Sequence, residues 1–134
     1  MGEMKFLLDT HAWLWWAFDD SRLPKTMRTI IAEPSNQIFV SAASAWEIAT
    51  KFRIGKLPSA SVLVQDIDGW RQRCGFAEIP ITVLHAQKAG TWANPHRDPF
   101  DRMLAAQSAM EQLPCITADP ELASFGIDVV WNAR

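Results

Sequence analysis

Short apolar runs alternate with helix-like segments along almost the whole chain, and few folds accept that order. Residues 5–8 form an apolar run before a helical stretch at 11–18, and 38–40 precede a helix over 44–52 that stops at Gly55. Residues 76–81, interrupted by Pro80, precede a helix at 82–88. Residues 115–117 precede a short helix at 120–125, and 127–131 form a last strand. Further helices are expected over 24–33, where Met27, Ile30 and Ile31 share a face, over 62–73, and over 99–111 behind Pro99. Residues 34–36, 58–61 and 90–97 read as turns and loops. Strands separated by helices in this way pair in parallel, with helices on both faces of the sheet. The fold class is therefore α/β, and the 134 residues make one domain, 1–134, with 49% hydrophobic residues to fill its core.

A parallel sheet collects its loops at the edge where the strands end, and ligands bind there. The acids of this chain are placed for that edge. Asp9 follows Phe6-Leu7-Leu8 directly, and Glu47 lies in the first turns of the helix after the second run. Asp98 and Asp101 open the helix at Pro99, and Asp119 follows the fourth run. Each has a purely structural alternative. Asp9 and Asp119 are good N-caps, Ser44 and Glu47 fit a capping box, and Asp98-Pro99-Phe100-Asp101 fits a capped helix start. Taken together, carboxylates gathered at one edge repel one another unless a hard divalent cation lies between them. That points to Mg²⁺ or Mn²⁺ and metal-assisted hydrolysis.

The remaining features narrow the class. A net charge of −2 argues against a broadly basic nucleic-acid binder but leaves a nuclease open, since local cations suffice to hold phosphates. Thr10 and Thr117 are candidates for substrate contact, as are Lys51, His96, Arg97 and Arg102. Lys51, Arg53 and Lys56 form a basic stretch that is either a solvated helix face or a phosphate contact. His11, His85 and His96 do not have zinc-site spacing, and His85 reads as packing or surface. The two cysteines, Cys74 and Cys115, read as unpaired small residues of the core or its boundary. Trp13, Trp15 and Trp16 cannot all face inward from one short helix, so at least one is expected on a partner surface. No apolar run reaches the roughly 20 residues of a membrane span. The start, 1–6, lacks the basic and apolar stretches of a secretion signal, so the cytoplasm is the expected location.

Four segments in order, FLLDTHAWLW, VSAASAWEIATKFRIGKL, HRDPFDRMLAAQS and ITADPEL, resemble the PIN-domain family, and within it the VapC-like toxins of toxin–antitoxin pairs. The resemblance implies a parallel sheet flanked by helices and a Mg²⁺- or Mn²⁺-dependent ribonuclease. It also implies a cognate antitoxin as partner and a homodimer. By position it makes Asp9, Glu47, Asp101 and Asp119 the family's four acids, with Asp98 as an extra acid that either shares the metal or caps the helix. The alternatives are a PIN-like RNA-processing nuclease without a toxin role and an inactive RNA- or protein-binding PIN module. A phosphoacceptor domain would want paired acids after the first strand, where Asp9 stands alone. A haloacid-dehalogenase-like phosphatase needs Asp-x-Asp, where this chain has Asp9-Thr10-His11.

Overall fold

Leu7 and Leu8 are both fully buried although they point to opposite faces of their strand, which requires cover on both sides of the sheet. The computed structural model, which describes residues 3–131, builds that cover. Five parallel strands lie in the order β3-β2-β1-β4-β5: β1 (Lys5–Leu8), β2 (Gln37–Ser41), β3 (Ala77–Ile79), β4 (Cys115–Ile116) and β5 (Val129–Val130). Helices α1 (Thr10–Ala17), α2 (Lys25–Ala32), α3 (Ala42–Arg53) and α4 (Ile67–Cys74) lie between β1 and β3 in the chain. Helices α5 (Val83–Thr91), α6 (Pro99–Glu111) and α7 (Pro120–Ala123) follow. Met1, Gly2 and residues 132–134 lie outside the described residues, and so do the outer ends of the 1–134 domain.

The period-two alternation of the strands divides the interior into two cores. Phe6, Leu8, Ile38, Val40 and Ile116 face one side, where Trp13, Met27, Ile48 and Trp70 meet them. Leu7 and Cys115 face the other, against Leu104 and Ala105 of α6, Leu122 of α7 and Phe125 just after it. Trp13 stacks on Trp70 with ring centroids 4.2 Å apart. The expected exposed tryptophan of α1 is not found: Trp13 is buried, and Trp15 and Trp16 are half-buried against the same core. The exposed one is Trp46 on α3, 61% accessible, with its ring edge against Phe100. Cys74 and Cys115 are free, as expected.

Three local expectations change. The helix expected over 62–73 is split, with a 3₁₀ turn at Leu63–Gln65 and then α4. Asp66 makes the break, because its carboxylate accepts the Gly69 N–H at 3.0 Å and so starts a new helix. Residues 58–61 are not plain loop but carry a 3₁₀ turn, Pro58–Ala60. Helix α3 begins at Ala42, capped by Ser41 Oγ on the Ala43 N–H at 2.9 Å. Ser44 is therefore inside the helix, and the Ser44–Glu47 capping box does not form; Glu47 is released for other partners.

The chain leaves β1 toward β2 on one side and reaches β4 on the other. The crevice between the carboxyl ends of β1 and β4 is thus the switch point of the sheet, where such folds bind ligands. The Asp9 N–H donates to the Ile116 carbonyl at 3.1 Å and fixes that edge. No described helix is long and apolar enough to cross a membrane.

Candidate functional site

Asp9 ends β1 and caps α1, its Oδ1 accepting the Ala12 N–H at 2.7 Å. Its other oxygen accepts the Thr117 hydroxyl. Thr117 Oγ1 in turn accepts the Asp119 N–H at 3.0 Å. Asp119 caps α7 through the Glu121 N–H at 2.9 Å. One hydroxyl after β4 therefore ties two acids to the same crevice.

Glu47 is 3% exposed and is held from two directions. The Thr10 hydroxyl donates to Oε1 at 2.6 Å, and Lys51 Nζ donates to Oε2 at 2.5 Å from one turn further along α3. Thr10 Oγ1 also lies 2.9 Å from Ser44 Oγ. Thr10 has a single proton, already on Glu47, so Ser44 is the donor there. Burial pulls the Lys51 ammonium down, but the bond to Glu47 and the charges of Glu47, Asp98 and Asp101 outweigh it and hold Lys51 above its ordinary value.

Asp98 caps α6, its Oδ1 accepting from the Phe100 N–H at 2.8 Å and the Asp101 N–H at 3.3 Å. Asp101, in the first turn of α6, lies 2.8 Å from His96 Nε2, and His96 Nδ1 lies 3.3 Å from Glu121 Oε2. The bond to Asp101, strengthened by the charges of Asp101, Glu121 and Asp98, raises His96 and favours the imidazolium. Asp101 itself is pushed up to about 6. Burial is the main cause, and the charges of Asp98, Asp119 and Glu47 add to it against the opposing bond from His96. Burial likewise raises Asp9, with a further push from Asp119. Acids drawn from α1, α3, α6 and α7 thus act on one another across a single crevice.

Among the described residues, no three of His, Cys, Asp and Glu stand in a metal-ligating arrangement. The donor set nonetheless fits a hard divalent cation in kind. It is all carboxylate oxygen, partly desolvated, and its mutual repulsion is relieved by a proton or a cation.

The residues expected at the substrate divide by what they touch. Thr10, Lys51 and Thr117 hold acids, and His96 bridges Asp101 and Glu121. Arg97 is exposed. Arg102 is corrected outright: its guanidinium donates to the carbonyls of Ala89, Asn94, His96 and Trp92 at 2.6–2.7 Å. It closes the loop between α5 and α6 and has little left for a phosphate. His85 is buried as a packing residue, accepting the Thr82 N–H on Nδ1 at 3.1 Å, with Nε2 2.8 Å from Glu111. Sequence reasoning gave neither Ser44 nor Glu121 a place at the site: Ser44 was read only as a helix cap, and Glu121 joins through His96 from a distant segment.

The PIN-domain family model matches residues 6–127. A 62-residue stretch is 42% identical to Ribonuclease VapC16 of Mycobacterium tuberculosis, covering 46% of this chain and 43% of that protein. The match thus spans less than half of that relative's length. The fold is similar to that of Mycobacterium tuberculosis VapC20, described as a Sarcin-Ricin loop cleaving toxin. The TM-score is 0.69 at 17% identity, over 95% of this chain and 99% of that one. It is similar too to a chain of VapBC2 from Rickettsia felis, solved bound to a promoter DNA fragment. There the TM-score is 0.68 at 14% identity, over 96% of this chain and 100% of that one.

Proposed function

Because the chain belongs to the PIN-domain family, we propose that it is a metal-dependent endoribonuclease acting as the toxin of a toxin–antitoxin pair. The observation that carries this is the gathering of Asp9, Glu47, Asp101 and Asp119 at the switch point of the sheet, where burial and the charges of Asp98, Asp119 and Glu47 raise the Asp101 carboxyl. Helix capping accounts for Asp9, Asp98 and Asp119 singly, but it does not account for Glu47 and Asp101 at the same edge, where the repulsion among the acids opposes the native state. The identity to Ribonuclease VapC16 supports RNA as substrate, and the likeness to the VapBC2 structure supports an antitoxin as partner.

Asp9 and Asp101 are the main ligands in this reading, with Glu47 and Asp119 completing the pocket and Asp98 capping α6 beside it. A bound Mg²⁺ or Mn²⁺ supplies an acidified water and offsets the charge of the attacked phosphate. Thr117 orients Asp9 and positions Asp119. Thr10 and Lys51 fix the rotamer of Glu47, and His96 balances the charge of Asp101. Hydrolysis in this manner leaves a 5′-phosphate and a 3′-hydroxyl. A homodimer belongs to the same reading, and the exposed apolar side chains of Trp46, Ile81, Val83 and Leu84 offer a surface for it.

The test is cleavage of total RNA with Mg²⁺ or Mn²⁺ by the wild type, Asp9→Asn and Asp101→Asn, with folding checked by circular dichroism. Cleavage lost in both variants supports the reading. Cleavage undiminished in either removes its basis.

A further inference from the structure

Next to Glu47 a cavity of about 280 Å³ opens between α1 and the turn that ends α3. Thr10 and Glu47 form its inner wall, Leu14 and Leu57 are apolar sides, and His11, Lys51 and Lys56 line it as well. We infer that this cavity is a nucleotide subsite, in which Lys56 holds a backbone phosphate flanking the one cleaved and the apolar sides carry the attached ribose or base. The inference rests on the ribonuclease reading and adds where the RNA strand lies.

The backbone builds the position of Lys56. Gly55 adopts φ +81, a left-handed conformation that glycine takes without strain. The Gly55 N–H returns to the Phe52 carbonyl at 3.0 Å and the Lys56 N–H to the Lys51 carbonyl at 2.8 Å. This double closure is the Schellman arrangement, and it folds the chain back so that Lys56 lines the same cavity as Lys51. Leu57 then packs on the core and anchors the turn. Arg53, the third cation of the same stretch, is exposed and does not line the cavity. Three cations that are alike in sequence are therefore different in space.

An anion here depends on local cations. The molecule as a whole carries −2, so it does not attract a polyanion globally. A phosphate brought to the crevice also meets Asp9, Glu47, Asp101 and Asp119. Local cations must hold the strand, and Lys51 is already committed to Glu47. Lys56 is exposed, and no carboxylate among the described residues pairs with it. His11 lines this cavity and also a second one, of about 330 Å³, beside Asp9 and Asp119. A strand seated at Lys56 therefore passes the acids as it crosses His11. The volume is close to the lower limit of small-ligand pockets, which suits one nucleotide unit.

The experiment measures binding of a fluorescent single-stranded RNA oligonucleotide, without divalent metal, across a salt series. It compares the wild type with Lys56→Gln, Lys56→Arg and Arg53→Gln. Lys56→Gln is expected to weaken binding about fivefold and to flatten the slope of log affinity against log salt by about 0.7. Lys56→Arg restores both, and Arg53→Gln changes neither. Equal effects of Lys56→Gln and Arg53→Gln, or no measurable binding by the wild type, overturn the inference. The same proteins are assayed for cleavage with Mg²⁺ or Mn²⁺. Lys56-dependent binding without any cleavage sinks the ribonuclease reading while leaving the subsite standing. Cleavage with the same KM in Lys56→Gln and the wild type sinks the subsite alone.

Discussion

Thr117 donates its hydroxyl to Asp9 across 108 positions of sequence and accepts the Asp119 N–H on the same oxygen. The contact joins the ends of β1 and β4 and sets the rotamer of the first acid. Thr117→Val keeps the shape and removes the hydroxyl, leaving a buried carboxylate oxygen without its donor. RNA cleavage is expected to fall roughly 10–100-fold, the usual cost of losing a group that orients a metal ligand. Stability is expected to fall by about 1–3 kcal/mol. Steady-state cleavage and urea denaturation measure both, and unchanged activity would show that Asp9 needs no such support.

Asp101 makes a prediction about pH. Its folded value, about 6, lies above the ordinary 3.8. The native state therefore binds this proton more tightly than the unfolded chain does. Asp101 has no adverse effect below pH 3.8, becomes progressively destabilising as pH rises from there to about 6, and imposes a constant penalty above that. Asp101→Asn should accordingly raise the stability of the metal-free protein at pH 7.5 by roughly 1–2 kcal/mol, allowing for solvent screening. The gain should vanish near pH 4. Thermal melts in chelator at the two pH values test it, and a variant less stable than wild type at pH 7.5 contradicts the account.

Removing the divalent ion should affect the two proteins unequally. Added Mn²⁺ is expected to raise the wild-type melting temperature and chelator to reverse it, since a ligand that binds only the folded state stabilises that state. Asp101→Asn should respond much less. Equal responses in the two proteins would place the ion elsewhere.

Arg102 is expected to behave as an internal clamp. Arg102→Lys cannot reproduce a fork that reaches four carbonyls, so the exchange is not conservative. A loss of about 2–4 kcal/mol is expected, with faster amide exchange across residues 92–98. A variant of wild-type stability that binds RNA less tightly would instead restore Arg102 as a substrate contact.

The start of α3 separates two serines. Ser41→Ala should cost about 1 kcal/mol and Ser41→Gly only a few tenths, as at a true cap. Ser44→Gly should be worse than Ser44→Ala by about 1 kcal/mol, as inside a helix. The opposite ordering in denaturant melts would return the cap to Ser44.

Much of this was legible because it is local. The four residues of β1 stand out by their apolar run, and Asp98-Pro99 marks the start of α6 by its own chemistry. The start of α3 was misplaced because Ser44 and Glu47 match a capping pattern as well as Ser41 does, and only the backbone chooses between them. Thr10 as the partner of Glu47 and Glu121 as the partner of His96 depend on pairings between distant segments, which no local pattern encodes. Arg102 misled for a related reason. Its sequence neighbours show a cation beside acids, while its actual partners are carbonyls, which every residue has.

The order of strands also governs when the site comes into being. β1 pairs with β4, whose first residue is Cys115, so the hydroxyl that completes the crevice is synthesised 108 positions after Asp9. A nascent chain that has emerged only as far as α6 carries Asp9, Glu47 and Asp101 but has one edge of its central strand open. The crevice is therefore assembled only once Thr117 and Asp119 have followed the first three acids out of the ribosome, and a chain truncated before β4 lacks one wall of it by topology.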